Sequence, residues 1–478
     1  MKHCRTVKLF FGVSLALLSG CASVGPEPRL LADELQYAET VKNLYKADGN
    51  WWRQYNDPEL NNLIETALAN NPDYLKAAFN VEKELAGLGL ATADLFPTLS
   101  GELSASSQRK IHTGDDFTDS FSGDLGLSYE ADLYGKIRNR QTAQEFAYKA
   151  TVMDREAARL TLINSVIDLY FNLEYLQNSI ELTRRNIKSY EDIQKITGQK
   201  YASGKTDNVE WAMLSRGSGK CKTDNVEYLQ SKQSLLSEKN KLLNLETGFK
   251  ETVSSLQNIL NVTGGVDEIA FGDILKQKGP APELDVPLSV LANRPDLLAA
   301  QYRLEGAFEE LKAENKNWYP NVSLRGALAS GSDKARTTFD FSYILGNVSV
   351  DLPFLDWNRV KNNIRISKAD YQISLIEFKD TLNQALNEVA YYYYAYLKSL
   401  EIYRNVEENY RNSVKITAYY RSRYNYGKEE FKDFLEAVNT ENSLRNDLIE
   451  QKYQIIKYEN YIYKAMAGRY EAVSPAGE

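Results

Sequence analysis

The sequence predicts a mainly α-helical chain with a small β part, built from two copies of one unit. Three observations predict it. Residues 136–199 and 358–426 run without proline, and the second stretch also lacks glycine. Apolar residues recur there at threes and fours, as in Leu160, Ile163, Ile167, Tyr170, Phe171 and Tyr175. Elsewhere Phe121, Gly123, Leu125, Leu127, Tyr129, Ala131 and Leu133 alternate with Ser122, Asp124, Gly126, Ser128, Glu130 and Asp132, the period of a strand. Finally, the chain repeats itself. "NNPDYLKAA" around Pro72 returns as "NRPDLLAAQ" around Pro295, "LFPTLSGELSAS" around Pro97 as "WYPNVSLRGALAS" around Pro320, and "KYASGK" around Gly204 as "RYNYGK" around Gly427, each pair 223 residues apart.

Residues 1–20 read as a processing segment. Lys2, Arg5 and Lys8 form a basic start, and Leu9–Leu18 is apolar but shorter than the roughly 20 residues a membrane helix needs. Leu18-Ser19-Gly20-Cys21 resembles the lipobox of bacterial lipoproteins, which makes Cys21 the lipidation site; the other reading is an ordinary signal peptide followed by a chance cysteine. Ala22 rather than Asp at the next position implies, by the sorting rule of such lipoproteins, transfer to the outer membrane.

Residues 21–60 are expected to form a lipidated N-terminal segment and part of an equatorial belt. The first repeat, 61–263, then supplies a helix, a strand pair over 97–133, a long helix, a tip turn and a return helix. The belt resumes over 264–286. The second repeat, 287–468, carries its strand pair over 320–352, where Ile344, Val348, Val350 and Leu352 take the matching apolar positions, and its tip turn at Gly427. Residues 469–478 form a tail. Arg109–Ser120 and Ser330–Phe339 are polar and read as exposed loops. Each long helix, about 65 residues at 1.5 Å per residue, spans roughly 100 Å, a coiled-coil length. The first return helix carries Leu229, Leu236 and Leu243 at heptad spacing, with Leu235 and Leu242 beside them. The run Tyr391–Tyr394 points round most of its helix and is assigned chiefly to packing between helices.

The strand pairs admit two readings, an amphipathic hairpin on a soluble core or about ten-residue segments with one lipid-facing side. Four strands cannot close a barrel, because about eight is the minimum and eight leaves no lumen. A barrel would therefore be shared, and three subunits would give twelve strands and a pore.

At 478 residues the chain is long enough for two or three cores. Its net charge of −8 gives no electrostatic footprint for nucleic acid. Cys4 leaves with the signal segment and Cys221 stands alone, so no disulfide framework is expected. Of the two histidines, His3 and His112, the first is removed. No HxxxH, CxxC, GxSxG or Walker pattern occurs, so neither enzyme nor cofactor is expected. After residue 20 no run of about 18 apolar residues would span a bilayer as a helix.

"WWRQYNDPELNNLIETALANNPDYLKAA" from Trp51, "NRPDLLAAQ" from Asn293, and the strand-to-helix junctions "SYEADLYGKIRN" and "SVDLPFLDWNRVKNN" resemble outer-membrane efflux proteins of the TolC and OprM group. The likeness spans nearly the whole mature chain, and the lipobox favours the lipoprotein branch. It implies a homotrimer in outer-membrane lipid, with a twelve-stranded barrel on a helical tunnel through the periplasm. It also implies a periplasmic adaptor and an inner-membrane transporter, of the resistance-nodulation-division type, as partners. The belt would draw on residues 34–57, 264–287 and the tail.

By the same resemblance the tip turns at Gly204 and Gly427, with Glu210 and Glu227 beside the first, receive the adaptor. Asp433 and Glu436 match the acidic rings of the periplasmic gate, and Tyr424 matches a tyrosine that holds the closed state. Carboxylates at this spacing also occur on any solvated helix face. Where TolC carries an arginine two residues after the glycine, this chain has Glu429, a departure from that closing lock. "KTDNVE" occurs twice, 17 residues apart, and the repeat offset falls from 223 to 206 across it, so a segment near 206–222 is an insertion at the first tip. It holds Gly217-Ser218-Gly219 and Cys221, and the return helix is expected to start near Thr223. The leading functional expectation is a passive duct exporting drugs or small toxic solutes. A protein-secretion duct fits the same residues. A structural lipoprotein tether without a pore is a third class, and the amphipathic strand pairs speak against it.

Overall fold

Capping residues decide where the helices start, and long-range bonds from the same residues decide what the helices meet. The computed structural model describes residues 45–109, 112, 116–202, 226–282, 288–332 and 334–472. Residues 1–20, Cys21, Gly204, Glu210 and the segment 206–222 with Cys221 lie outside the described residues. The elements are β1 (Tyr45–Asp48), α1 (Pro58–Asn70), α2 (Pro72–Ala93), β2 (Thr98–Gln108), β3 (Thr118–Ala131), α3 (Lys136–Ala202), α4 (Val226–Leu260), α5 (Pro295–Asn315), β4 (Asn321–Ser332), β5 (Tyr343–Asp351), α6 (Trp357–Asn425), α7 (Phe431–Ala465) and β6 (Arg469–Ala472). They group into two units. One comprises Leu95–Arg140 and Phe308–Lys368; the other comprises Leu44–Asp94, Gln141–Ala307 and Ala369–Glu478. No described helix is long and apolar enough to cross a membrane.

The first unit is built on an antiparallel sheet of order β2-β3-β4-β5. After β3 the chain turns at Gly135, whose φ of +74 suits glycine. Asp132 holds that turn. Its carboxylate accepts from the Ile137 and Arg138 amides at 3.0 and 3.1 Å and from Arg138 Nε at 3.1 Å, capping the start of α3. Lys316 reaches the same turn, donating to Gly135 O and Asn139 Oδ1. One loop expectation is corrected. Ser330 lies inside β4, is buried, and donates to the Gly123 and Thr338 carbonyls. The second hairpin loop folds back over this end of the sheet, and a Cβ on Gly123 would come within 2.9 Å of Thr338 O.

The second unit is helical. Its core gathers Trp51, Leu60, Ile64, Ile163, Ile167, Phe171, Leu256 and Ile456 from five segments. Trp51 Nε1 donates to Asn460 Oδ1 at 3.2 Å, and Asn460 Nδ2 donates to Tyr55 OH at 3.1 Å, so the buried polar groups answer one another. Beside the core β1 pairs with β6, which joins the two ends of the described chain.

The repeat is visible in single bonds. Asn71 caps α2, accepting from the Asp73 and Tyr74 amides, and its Nδ2 donates to Ile259 O in the last turn of α4. Arg294, 223 residues later, precedes α5 and donates through Nη1 to Ala465 O, the equivalent carbonyl at the end of α7. Both satisfy an acceptor that a helix end leaves open. Arg294 is buried and also pairs with Asp296 at 2.6 Å and Glu388 at 3.0 Å. Burial alone would raise the Asp296 carboxyl, but the guanidinium outweighs it and holds the group below its ordinary range.

Packing sorts the sides of the long helices. Leu229, Leu236 and Leu243 face outward, 45, 52 and 60% exposed, while Leu235 is buried against Tyr190, Phe431 and Phe434. Among the described residues the heptad seam therefore finds no partner. The tyrosine run divides. Tyr392 packs on Tyr461 and Tyr393 donates to Met466 Sδ, whereas Tyr391 and Tyr394 lie exposed.

Arg294→Ala should destabilise the fold by about 2 kcal/mol, below the cost of breaking a fully buried pair because both carboxylates keep solvent contact. Asn71→Ala loses mainly a cap and should cost about 1 kcal/mol. Denaturant unfolding in detergent measures both, and Arg294→Ala should show the larger shift in midpoint.

Candidate functional site

Two regions carry candidate function, the sheet and the helix tip. Register decides what the sheet can do. Leu99 stands opposite Leu127, Gly101 opposite Leu125 and Leu103 opposite Gly123. Leu125 meets Leu328, Tyr129 meets Leu324 and Ala131 meets Val322. Val322, Leu324 and Leu328 in turn meet Val350, Val348 and Ile344. One face is therefore apolar across all four strands. The other carries Ser100, Glu102, Ser104, Ser122, Asp124, Ser128, Glu130, Ser323, Arg325 and Asn347.

The apolar face is exposed, with Leu99 at 77% and Ile344 at 85%. Aromatic and large apolar side chains mark both ends of the strands. Phe117, Phe339 and Tyr343 lie exposed near the hairpin loops, and Phe96, Trp318, Leu355 and Trp357 lie exposed near the strand–helix junctions. Strands of nine to fourteen residues, one apolar face and aromatic ends are the features of a transmembrane barrel segment. On the polar face Glu102 stands directly opposite Asp124, a like-charge pair that a solvated lumen tolerates better than a protein interior.

The tip is the turn between α6 and α7. Gly427 has φ +68; its amide donates to Tyr424 O at 3.0 Å and the Lys428 amide to Arg423 O at 2.9 Å, a Schellman motif. Arg423 Nε then donates to Glu429 Oε2 at 2.6 Å and its Nη2 to Lys428 O, so side chains close the same turn. Tyr424 stacks on Phe434 at 5.4 Å between ring centroids and tilts against Phe431 at 5.6 Å. Phe431 and Phe434 are buried with Tyr190, Ile193 and Leu235, which ties the ends of α3, α4 and α7 together. A cavity of about 360 Å³ lies alongside, lined by Asp192, Ile196, Arg421, Tyr424, Phe431 and Phe434.

The candidate residues separate accordingly. Tyr424 and Gly427 sit within one turn. Asp433 and Glu436 follow on the first turns of α7, the former half-buried and the latter exposed. Glu227 lies in the first turn of α4. Gly204, Glu210 and Cys21 lie outside the described residues. Sequence reasoning missed the Arg423–Glu429 pair and the Phe431–Phe434 cluster, although the spacing of Tyr424, Phe431 and Phe434 across a glycine turn was a usable signal. No group of acidic, histidine or cysteine side chains among the described residues is arranged to hold a metal ion.

Because Arg423 and Glu429 close one turn, their effects should not add. Glu429→Ala should speed amide exchange at Lys428, Arg423→Ala at least as much because it also loses the bond to Lys428 O, and the double variant no further than Arg423→Ala. Additive effects would mean that the two side chains act separately.

Comparison with known proteins agrees with this geometry. The family described as outer membrane efflux protein matches residues 63–214 and 286–468. "Toxin and drug export protein A" of Aggregatibacter actinomycetemcomitans is 36% identical over 454 residues, covering 95% of this chain and 96% of that protein. "Probable outer membrane lipoprotein SilC" of Salmonella typhimurium is 24% identical over 97% of this chain and 98% of its own length. The CmeC outer membrane channel of Campylobacter jejuni superposes with a TM-score of 0.77 at 24% identity, covering 90% of each chain, and so shares the fold.

Proposed function

Because the chain belongs to the outer membrane efflux protein family, we propose that it is the outer-membrane duct of a tripartite export system for drugs or other small toxic solutes. The observation that carries this reading is the register-matched sheet, apolar on one face over four strands and mostly polar on the other, where Ala327 and Leu345 are exceptions. Such a sheet has two open edges, and in hydrocarbon unpaired backbone groups cost several kcal/mol each. Its occupant is a second and a third copy of this chain, which would close twelve strands around a lumen lined by Glu102, Asp124, Arg325 and their neighbours. The outward Leu229, Leu236 and Leu243 supply a matching seam for a neighbouring copy.

In this reading Cys21 carries the lipid anchor. Tyr424, Asp433 and Glu436 form the periplasmic gate. Gly204, Glu210, Glu227 and Gly427 mark the ends that meet an adaptor, and the segment 206–222 adds length to one of them. The duct itself is passive, so the driving energy enters through an inner-membrane transporter of the resistance-nodulation-division type. One observation favours a second reading, export of a protein cargo: the relative at 36% identity is described as exporting both toxin and drug.

Planar-bilayer recording tests the duct. Purified protein should be trimeric by light scattering and should conduct. Carboxylate rings favour cations, so multivalent cations on the periplasmic side should block the current. Asp433→Ala with Glu436→Ala should relieve that block. Unchanged block in the double variant would place these carboxylates away from the pore, and a stable monomer without conductance would reject the duct.

Leu236→Asp with Leu243→Asp should leave monomers in detergent, since each copy would bury unpaired charge in the seam. A host lacking this chain should also be more susceptible to amphipathic drugs. Loss of a secreted protein with unchanged susceptibility would select the second reading.

A further inference from the structure

The connector between the two repeats is fastened to the helices through buried carboxyls. Ile274 is fully buried in the core. On α3, Asn178 donates to Gly272 O at 2.8 Å and accepts from the Ile274 amide at 3.4 Å. One turn earlier, Glu174 is 1% exposed. One of its oxygens accepts from Gln277 Nε2 at 3.3 Å; the other is buried without a hydrogen-bond partner. Further along, the Ala281 amide donates to buried Glu459 on α7 at 3.0 Å, and Gly279 lies so close to that carboxyl group that a Cβ there would have to push it aside.

A buried carboxylate oxygen without a donor is costly when charged and cheap when the group is protonated. We propose that the connector 264–282 is an acid-tightened strap: a neutral Glu174 lets it seat against α3, and ionisation of that carboxyl loosens it. Every group concerned belongs to one chain and one unit, so the proposal stands apart from the channel reading.

The surroundings of Glu174 support this. Burial is the main effect and pushes its carboxyl up to about 7. The Gln277 hydrogen bond and Lys452 of α7 favour the charged form, whereas Asp57 before α1 and Asp273 in the connector oppose it. Tyr170, one turn back on α3, is occupied in donating to Asp57 at 2.5 Å and offers Glu174 no proton. Lys452 does not offset the burial, since it is itself partly buried and shifted down. When the connector lifts, water reaches Glu174 and its carboxyl returns toward the ordinary value of 4.5. The seated form therefore holds a proton that the lifted form releases. Seating is strongest below about 4.5, weakens as pH rises through about 7 and is level above it.

Hydrogen exchange on the full-length protein in detergent, read at the Lys276, Gln277 and Ala281 amides, tests the strap. Glu174→Gln at the same pH cancels the intrinsic pH dependence of exchange. Relative to that variant, wild-type protection should fall roughly a hundredfold between pH 4.5 and pH 8. Asn178→Ala should loosen the same amides while leaving the pH dependence in place. The proposal is overturned if wild type and Glu174→Gln share one pH profile. It is also overturned if amides around Ile167 in the core lose protection in parallel, because Glu174 would then tune the whole unit rather than the connector.

Discussion

An open sheet with one apolar face has two edges that hydrocarbon cannot satisfy. β2 and β5 are those edges, and among the described residues each pairs with a strand on one side only. Water would satisfy them, but the face beside them is lined by Leu99, Leu103, Ile344, Val348 and Val350, which water penalises. A single copy in solution exposes the face, and a single copy in lipid exposes the edges. Pairing β2 of one copy with β5 of the next removes both costs together. Assembly is thus required by the strand pattern, and the outward seam of α4 is consistent with it. Leu229, Leu236 and Leu243 are spaced for a partner helix that the described residues of their own chain do not supply.

The strands and the tip glycine were legible in the sequence because they rest on local rules. A period of two between Phe121 and Leu133 fixes which residues share a face. A glycine between two proline-free stretches marks a left-handed turn. The direction of the α4 heptads was not legible. Leu235 and Leu236 differ by one position, about 100° round a helix, and nothing nearby says which points inward. The Tyr190–Phe431–Phe434 cluster decides it, and Phe431 and Phe434 lie about 200 positions away. Ser330 was misassigned for a related reason. A polar residue beside a glycine reads as loop until the Thr338 and Gly123 carbonyls are known to receive its hydroxyl.

Duplication explains why the two repeats can differ in chemistry yet keep one geometry. Asn71 and Arg294 share no functional group beyond a donor, yet each starts a helix and reaches the same carbonyl on a return helix. What is retained is the unsatisfied acceptor, since a helix end always leaves one. The longer arginine then reaches Glu388 on α6 as well, which Asn71 has no means to do. The second repeat so gains a tie between α5, α6 and α7, and with it a buried charge that must stay paired.

The same logic bears on the gate. Glu429 offers no cation to a neighbouring copy, and its carboxylate is paired with Arg423 inside one turn. Glu430 follows just before α7, and the acids on the first turns of α7 itself are Asp433 and Glu436. α7 begins without a side-chain cap, for Glu430 makes no such bond, and its first amides point outward with partial positive charge. A carboxylate in that first turn suits the partial positive charge of a helix start, so Asp433 has a place in the fold whatever lies across the axis. Glu436, a turn further on and exposed, gains much less from it, because the effect fades within the first turn. A structural account thus covers Asp433 more fully than Glu436. If a ring of carboxylates constrains the lumen, Glu436 is the member whose presence the helix does not explain.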